Sequence, residues 1–386
     1  MRRTQTASGS SVFSSAAVIA ALCVSIGTSA CAYFVTPRSH TRLDTKAWES
    51  AVARAQLWAK TDIPTMDIKA GPQGPGAFEP NQTVVCDYVD EPLEGSSPKF
   101  SCKQGDDKLK VKYGRTNGEA FGEVAATRLL WALGFGADHE YPVRVVCRGC
   151  PQKLQPNSNG AATAEIVFDI AAIERKMPGR EIEGPEGRGW AWFELDLLDP
   201  GVGGATRAER DALKLMAVIL QHTDNKRDQQ RLVCLDQHAK RESPGSCVQT
   251  YMLINDLGET FGRAGALNLN RTASVNLAAW ARTSVWTSSE RCVGNLAQSW
   301  SGTLHDPPIT EEGRAFLASL LTQLTDQQMH DLFEVARFPS RAYDDDHEGN
   351  NEGAQGDVDA WVRALKDKID QVVQRSCVPT RPETQG

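Results

Sequence analysis

Gln221-His222-Thr223-Asp224-Asn225-Lys226-Arg227-Asp228-Gln229 and, after a polar insert, Leu253-Ile254-Asn255-Asp256-Leu257-Gly258 are the stretches around which the rest of the chain can be organised. The first ends residues 207–223, where Leu213, Leu215, Met216, Val218, Ile219 and Leu220 are too apolar for a surface position. That run predicts a long helix buried at the centre of a lobe. Residues 232–235 and 251–254 read as strands on either side of a polar insert, 236–249. A hairpin of this kind presents Asp224 and Asp256, 32 residues apart, at adjacent ends.

Upstream, residues 83–89, 99–102 and 109–113 alternate as strands, with a Gly-Ser-Ser-Pro turn at 95–98, and predict an antiparallel meander. Ala120, Phe121, Val124, Ala125, Leu129, Leu130 and Leu133 then recur at helical spacing until Gly134 supplies a stop. Strands resume at 141–147 and 164–168 around a polar loop, 151–160. Lys112 thus ends a strand and Glu123 sits in the helix that follows. Lys110 shares the sheet face of Lys112, and Glu119 lies one helical turn before Glu123, so each pair contains two candidates for one role. Further helices are expected at 275–280, 311–324, 326–336 and 357–375, with an acidic solvated run at 344–352.

Phosphoryl transfer asks little covalent chemistry of a protein. It asks for positioning of the acceptor and neutralisation of phosphate charge by a metal and a cation. His222, Asp224 and Lys226 keep the places of His, Asp and Lys in the kinase catalytic loop, and Gln229 stands where that pattern has Asn. Asp256-Leu257-Gly258 resembles the metal-binding Asp-Phe-Gly element, with Leu for Phe. The order of these motifs, with a strand Lys and a helix Glu upstream and no complete glycine loop, resembles the atypical kinases: secretory-pathway, phosphatidylinositol and HipA-like. The resemblance spans about residues 83–262 and rests on motif and element order.

The resemblance implies an α+β, two-lobed protein-kinase-like fold, a small antiparallel-sheet N-lobe with one helix and a mainly helical C-lobe, with ATP between them. It implies that Asp224 orients or deprotonates an acceptor hydroxyl and Lys226 balances charge on the migrating phosphoryl group. Lys112, fixed by Glu123, contacts the nucleotide phosphates, and Gly95, Ser96 and Ser97 offer backbone amides to them. Asp256 holds magnesium, with Mn2+ as the alternative, and Gln229 offers its carbonyl oxygen to a second ion. An ordinary turn is an equal reading of Gly95-Ser96-Ser97.

The N-terminus has Arg2 and Arg3, an apolar centre at 18–26 and the small residues Gly27-Thr28-Ser29-Ala30-Cys31-Ala32. This is the pattern of a secretory signal, with a centre too short to span a bilayer. Ser29-Ala30-Cys31 resembles the end of a bacterial lipobox, which would leave Cys31 lipidated and anchored to a membrane. Thr28 stands where that motif usually has Leu, and ordinary cleavage after Ala32 fits equally well. The expected organisation is a signal at 1–32, an N-terminal helix and Pro/Gly linker at 33–81, an N-lobe at 82–170 and a C-lobe at 171–343. An acidic linker at 344–356 and a closing helix and tail at 357–386 complete it.

Eight cysteines remain beyond Cys23 and Cys31, an even set that in an exported chain reads as a disulfide framework. Cys86 with Cys102 and Cys234 with Cys247 have the separations of bridged hairpins, Cys147 and Cys150 close a tight loop, and Cys292 is left for Cys377. Cys147 and Cys150 lack a second ligand pair for zinc. The net charge is −7, and −9 once Arg2 and Arg3 leave with the signal, which disfavours a nucleic-acid partner. His139, His238 and His305 lack ligand-spaced partners, and Ser284, Ser288 and Ser289 lie in no Gly-x-Ser-x-Gly elbow.

The expectation is therefore an exported kinase in the periplasm, envelope or extracellular space, using ATP and magnesium on a protein, glycan or lipid hydroxyl. The alternatives are an inactive kinase-fold scaffold in the envelope and an unrelated disulfide-stabilised surface protein. Convergence of Asp224, Asp256 and Lys112 on one cleft separates the first two from the third.

Overall fold

Five strands whose inward residues are Val84, Cys86, Phe100, Cys102, Leu109, Val111, Tyr113, Tyr141, Val143, Val145, Ile166, Phe168, Ala171 and Ile173 wrap around their own core in a computed structural model of the protein. The structure describes residues 42–154, 165–236, 247–262, 274–342 and 357–377. The signal with Cys31, the start of the 33–81 segment, most of the polar insert with His238, the acidic run at 344–352 and the C-terminal tail lie outside these residues.

The strands are β1 (Thr83–Val89), β2 (Lys99–Gln104), β3 (Asp107–Tyr113), β4 (His139–Arg148) and β5 (Glu165–Arg175), in spatial order β1-β2-β3-β5-β4. The expected antiparallel meander holds for β1, β2 and β3, but the sheet is not an open antiparallel one. β1 pairs in parallel with β4, Val84 beside Val145 and Cys86 beside Cys147, and closes a mixed barrel. Closure leaves no unpaired edge and lets one set of alternating side chains fill the interior. β5 runs through Arg175, well beyond the predicted 168.

Helix α2 (Glu119–Ala132) lies outside the barrel and is buried on nearly every side, including Glu123, Thr127 and Arg128. The second part of the chain is mainly helical, with a three-stranded sheet of β6 (Arg180–Ile182), β7 (Gln230–Cys234) and β8 (Thr250–Ile254). Its helices are α3 (Arg207–Leu220), α4 (Leu277–Arg282), α5 (Glu311–Leu321), α6 (Asp326–Val335) and α7 (Val358–Val373), with α3 against α5, α7 against α4, α5 and α6, and α6 also against α2. The fold is thus α+β, with a β-rich region followed by a helical one.

The linker expected before residue 82 is instead packed structure. The expected N-terminal helix is α1 (Thr45–Ala53), and Leu43, Trp48, Val52, Leu57, Ile63 and Ile68 belong to the main core. Backbone bonds hold the segment: Gln56 N donates to Thr250 O, Met252 N to Gln56 O and Ala59 N to Gly134 O. Arg128 Nε donates to Ile68 O, and the Tyr141 hydroxyl to Pro72 O. Proline and glycine here shape a strap whose carbonyls are taken by buried donors, which composition alone does not distinguish from a solvated linker.

The closing helix is equally integral. Trp361 is fully buried among Trp280, Phe333 and Phe338. Trp361→Ala should lower stability by about 3–5 kcal/mol, the usual cost of emptying a large aromatic site, measurable by denaturant unfolding. All four expected cysteine pairs are disulfides: Cys86–Cys102, Cys147–Cys150, Cys234–Cys247 and Cys292–Cys377. Such a set fits an oxidising compartment. Among the described residues no helix is long and apolar enough to cross a membrane.

Candidate functional site

The first acidic motif is set by the end of α3. Thr206 and Glu209 form a capping box at its start, the Thr206 hydroxyl accepting from Glu209 N and Glu209 Oε2 accepting from Thr206 N. At its end Gln221 takes a left-handed conformation, φ +54°, and donates through Nε2 to Val218 O and Asn295 O. The chain turns there, and Asn225 locks the loop: its amide donates to His222 O and Leu304 O, and its oxygen accepts from Thr303 N and Leu304 N.

The second motif is stitched to the first through the backbone. Asn255 N and Asp256 N donate to Gln229 O at 2.9 and 3.3 Å, and Thr223 N donates to Glu259 O at 3.3 Å. β7 and β8, antiparallel with Gln230 opposite Ile254, carry the two acidic segments to the same end of the small sheet. At that end Gln229 Nε2 donates to Asp224 Oδ2 at 2.8 Å, and Lys226 Nζ lies 3.3 Å from the same oxygen.

From the barrel side, Lys112 on β3 enters beneath α2 with 1% of its side chain exposed. Its ammonium lies 2.5 Å from Glu123 Oε1, 3.0 Å from Glu119 Oε2 and 3.7 Å from Asp256 Oδ1. Asp256 and Lys112 thus meet across the junction of the two regions. Leu257 N also donates to Glu123 Oε1, at 3.4 Å. Gly258 makes this approach feasible, because a Cβ there would stand 2.5 Å from Glu119 Cγ.

The structure therefore places Lys112, Glu123 and Asp256 in one ionic cluster, and Asp224, Lys226 and Gln229 in an adjoining one. It separates the rival candidates. Lys110 is engaged by Glu174 of β5 at 2.5 Å, whereas Glu119 joins Glu123 on Lys112 rather than replacing it. Gly95, Ser96 and Ser97 lie in the turn before β2, where Ser97 is buried and Ser96 exposed.

The electrostatics follow from crowding charges around a buried ammonium. Burial opposes a charge on Lys112, yet Asp256, Glu119, Glu123 and Glu140 together hold its pKa well above the ordinary lysine value. Burial also opposes ionisation of Asp256, but Lys112, a hydrogen bond with Glu123, Lys110 and Gly258 N keep it well below the carboxylate range. Glu123 is pushed well up by burial, against the pull of Lys112 and with the help of Asp256, Glu140 and Glu119. His222 is held neutral by burial, its pKa lowered to about 4.

Glu119, Glu123 and Asp256 each offer an oxygen, all within 4.8 Å of one another. Glu123 Oε2 is buried and has no hydrogen-bond partner. An all-oxygen set with an orphaned carboxylate oxygen suits a hard divalent cation such as magnesium. Sequence reasoning named Glu119 only as a rival and missed Glu259 and Glu140. Burial pushes Glu259 to about 8, aided by Asp224, Glu119 and Asp256, and Glu140 likewise to about 8. Nothing in the local sequence marks either, since their partners come from distant segments.

Glu259 gives a pH test. Folded protein holds this proton up to about 8, while the unfolded chain releases it near 4.5. The folded state therefore binds more protons in that window, and stability falls as pH rises through it. Glu259→Gln should flatten this part of the profile and leave the variant relatively more stable above pH 8, as read by thermal unfolding across pH.

No family model and no curated protein matches the chain. Among solved structures it is similar to the Helicobacter pylori proinflammatory kinase CtkA, with 12% sequence identity, 76% of this chain and 98% of that one covered, and a TM-score of 0.42. A likeness at that level carries no argument about the chemistry of this site, which stands on its own geometry.

Proposed function

We propose that the chain is an exported atypical kinase that transfers the γ-phosphoryl group of ATP to a hydroxyl of a protein, glycan or lipid. The observation that supports this reading is the meeting of Lys112, Glu123 and Asp256 at one point, backbone-linked to a loop carrying Asp224 and Lys226. Asp256, with Glu119, would hold magnesium, and the metal would neutralise charge on the phosphates. Asp224 accepts the proton of the acceptor hydroxyl as its oxygen bonds to the γ-phosphorus and the bond to the bridging oxygen breaks, releasing ADP. Lys226, beside Asp224, balances charge on the group in transit.

One observation favours a second reading, a nucleotide-binding or scaffold module without transfer. The Gln229 amide nitrogen points at Asp224, so the side chain is engaged as a donor rather than turned toward a second metal ion. Incubation with γ-labelled ATP and magnesium separates the two. Label appearing on the protein, on a supplied acceptor or as inorganic phosphate supports transfer. Bound ATP that stays intact over many hours favours the module and ends the kinase reading.

A further inference from the structure

Lys99 begins β2 and stands directly across the ladder from Lys112, so both side chains leave the same outer face of the barrel. The two lysines differ in their partners. Lys112 already has three carboxylates within 3.7 Å. Lys99 is half-buried, donates only a long 3.4 Å hydrogen bond to the Ser97 hydroxyl, and has no carboxylate within ion-pair distance among the described residues.

A half-buried ammonium without a counter-ion is costly, and such a group gains most from an anion delivered by a ligand. Burial lowers the Lys99 pKa, as do Lys112 and Lys110, while Glu119 and Asp256 raise it. Those neighbours belong to the cluster described above, and the β2–β3 register sets Lys99 beside Lys112 on the same face. The turn is shaped to bring it there. Gly95 has φ +81°, and a Cβ on it would stand 2.7 Å from Lys99 Nζ. Glycine at 95 thus leaves room for the lysine to fold back over the turn, beside buried Ser97.

Resting on the nucleotide reading above, the geometry points to Lys99, assisted by Ser97, as the cation that receives the nucleotide's phosphate oxyanions, while Lys112 remains committed to its carboxylates. The Gly95-Ser96-Ser97 turn then acts by holding this lysine as much as by its own amides. A phosphate on another molecule offers the same oxyanion, so the test must separate the sources.

Calorimetric titration of the intact protein with ATP, adenosine and inorganic tripolyphosphate, each with magnesium, reads this directly. Lys99→Met should weaken ATP and tripolyphosphate by about tenfold or more, the usual worth of a hydrogen bond to a charged group, and leave adenosine unchanged. Lys99→Arg should restore most of the loss. Gly95→Ala should reproduce part of it by displacing the ammonium. Thermal stability of Lys99→Met should equal or exceed that of the parent protein, whereas a structural role for the lysine would lower it. Unchanged ATP affinity in Lys99→Met overturns the assignment while the nucleotide reading stands. A loss confined to tripolyphosphate, or one equal for adenosine, also overturns it. A parent protein that binds neither ATP nor tripolyphosphate removes both readings together.

Discussion

Asp256→Asn is expected to abolish magnesium-dependent ATP binding. The loss should exceed the roughly 10–100-fold that follows removal of an outer-sphere partner of a metal site, because this substitution removes a ligand charge itself. The fold should survive, since Lys112 keeps Glu119 and Glu123 at 3.0 and 2.5 Å and is not left as an unpaired buried charge. Asp256 also raises Glu123, so the variant should ionise Glu123 more readily. ATP titration with and without magnesium measures the effect. A variant that retains magnesium-dependent binding would remove Asp256 from the metal site.

Asp224→Asn is expected to separate binding from transfer. Nucleotide affinity should stay near that of the parent protein, since none of the contacts of Lys112 with Glu119, Glu123 and Asp256 involves Asp224. Transfer should fall by about 10²–10⁴-fold, the range for loss of a positioned general base. Asparagine keeps an oxygen to accept from Gln229 Nε2, so the loop is preserved while the charge and proton acceptor are lost. Equal transfer rates in the two proteins, measured in single turnovers with labelled ATP, would sink the role assigned to Asp224.

The polar residues of the site were legible because their signal is local. His222 to Gln229 and Asn255 to Gly258 each fit within a few residues of chain, and α3 announces itself by an apolar run broken at Gln221. Alternation on β3 narrowed the lysine to two candidates. The neighbouring elements distinguish their partners: Glu174 on β5 pairs with Lys110, while Lys112 lies with Glu119 and Glu123 of α2. The cysteine pairs followed from short separations for three bridges, and the fourth was what remained.

What escaped the sequence depends on distant partners. The parallel pairing of β1 with β4 has no local mark, since Val84 and Val145 meet only after the chain has passed through β2, β3 and α2. The strap before residue 82 has the composition of a linker, yet its carbonyls are taken by Arg128, Tyr141 and Gln328. Lys99 was hidden for the same reason. It matters because the β2–β3 register sets it opposite Lys112, and a one-residue slip would have turned it to the other face.

The account rests on Lys112, Glu123 and Asp256 forming a site for a metal-bound nucleotide. The most direct measurement is the thermal midpoint of the disulfide-intact protein titrated with ATP, with and without magnesium or manganese. A ligand that binds only the folded state adds about 2.7 kcal/mol of stability at a hundred times its dissociation constant. The account predicts a rise in midpoint that needs both ATP and a divalent metal. No rise with ATP under any divalent metal would contradict it.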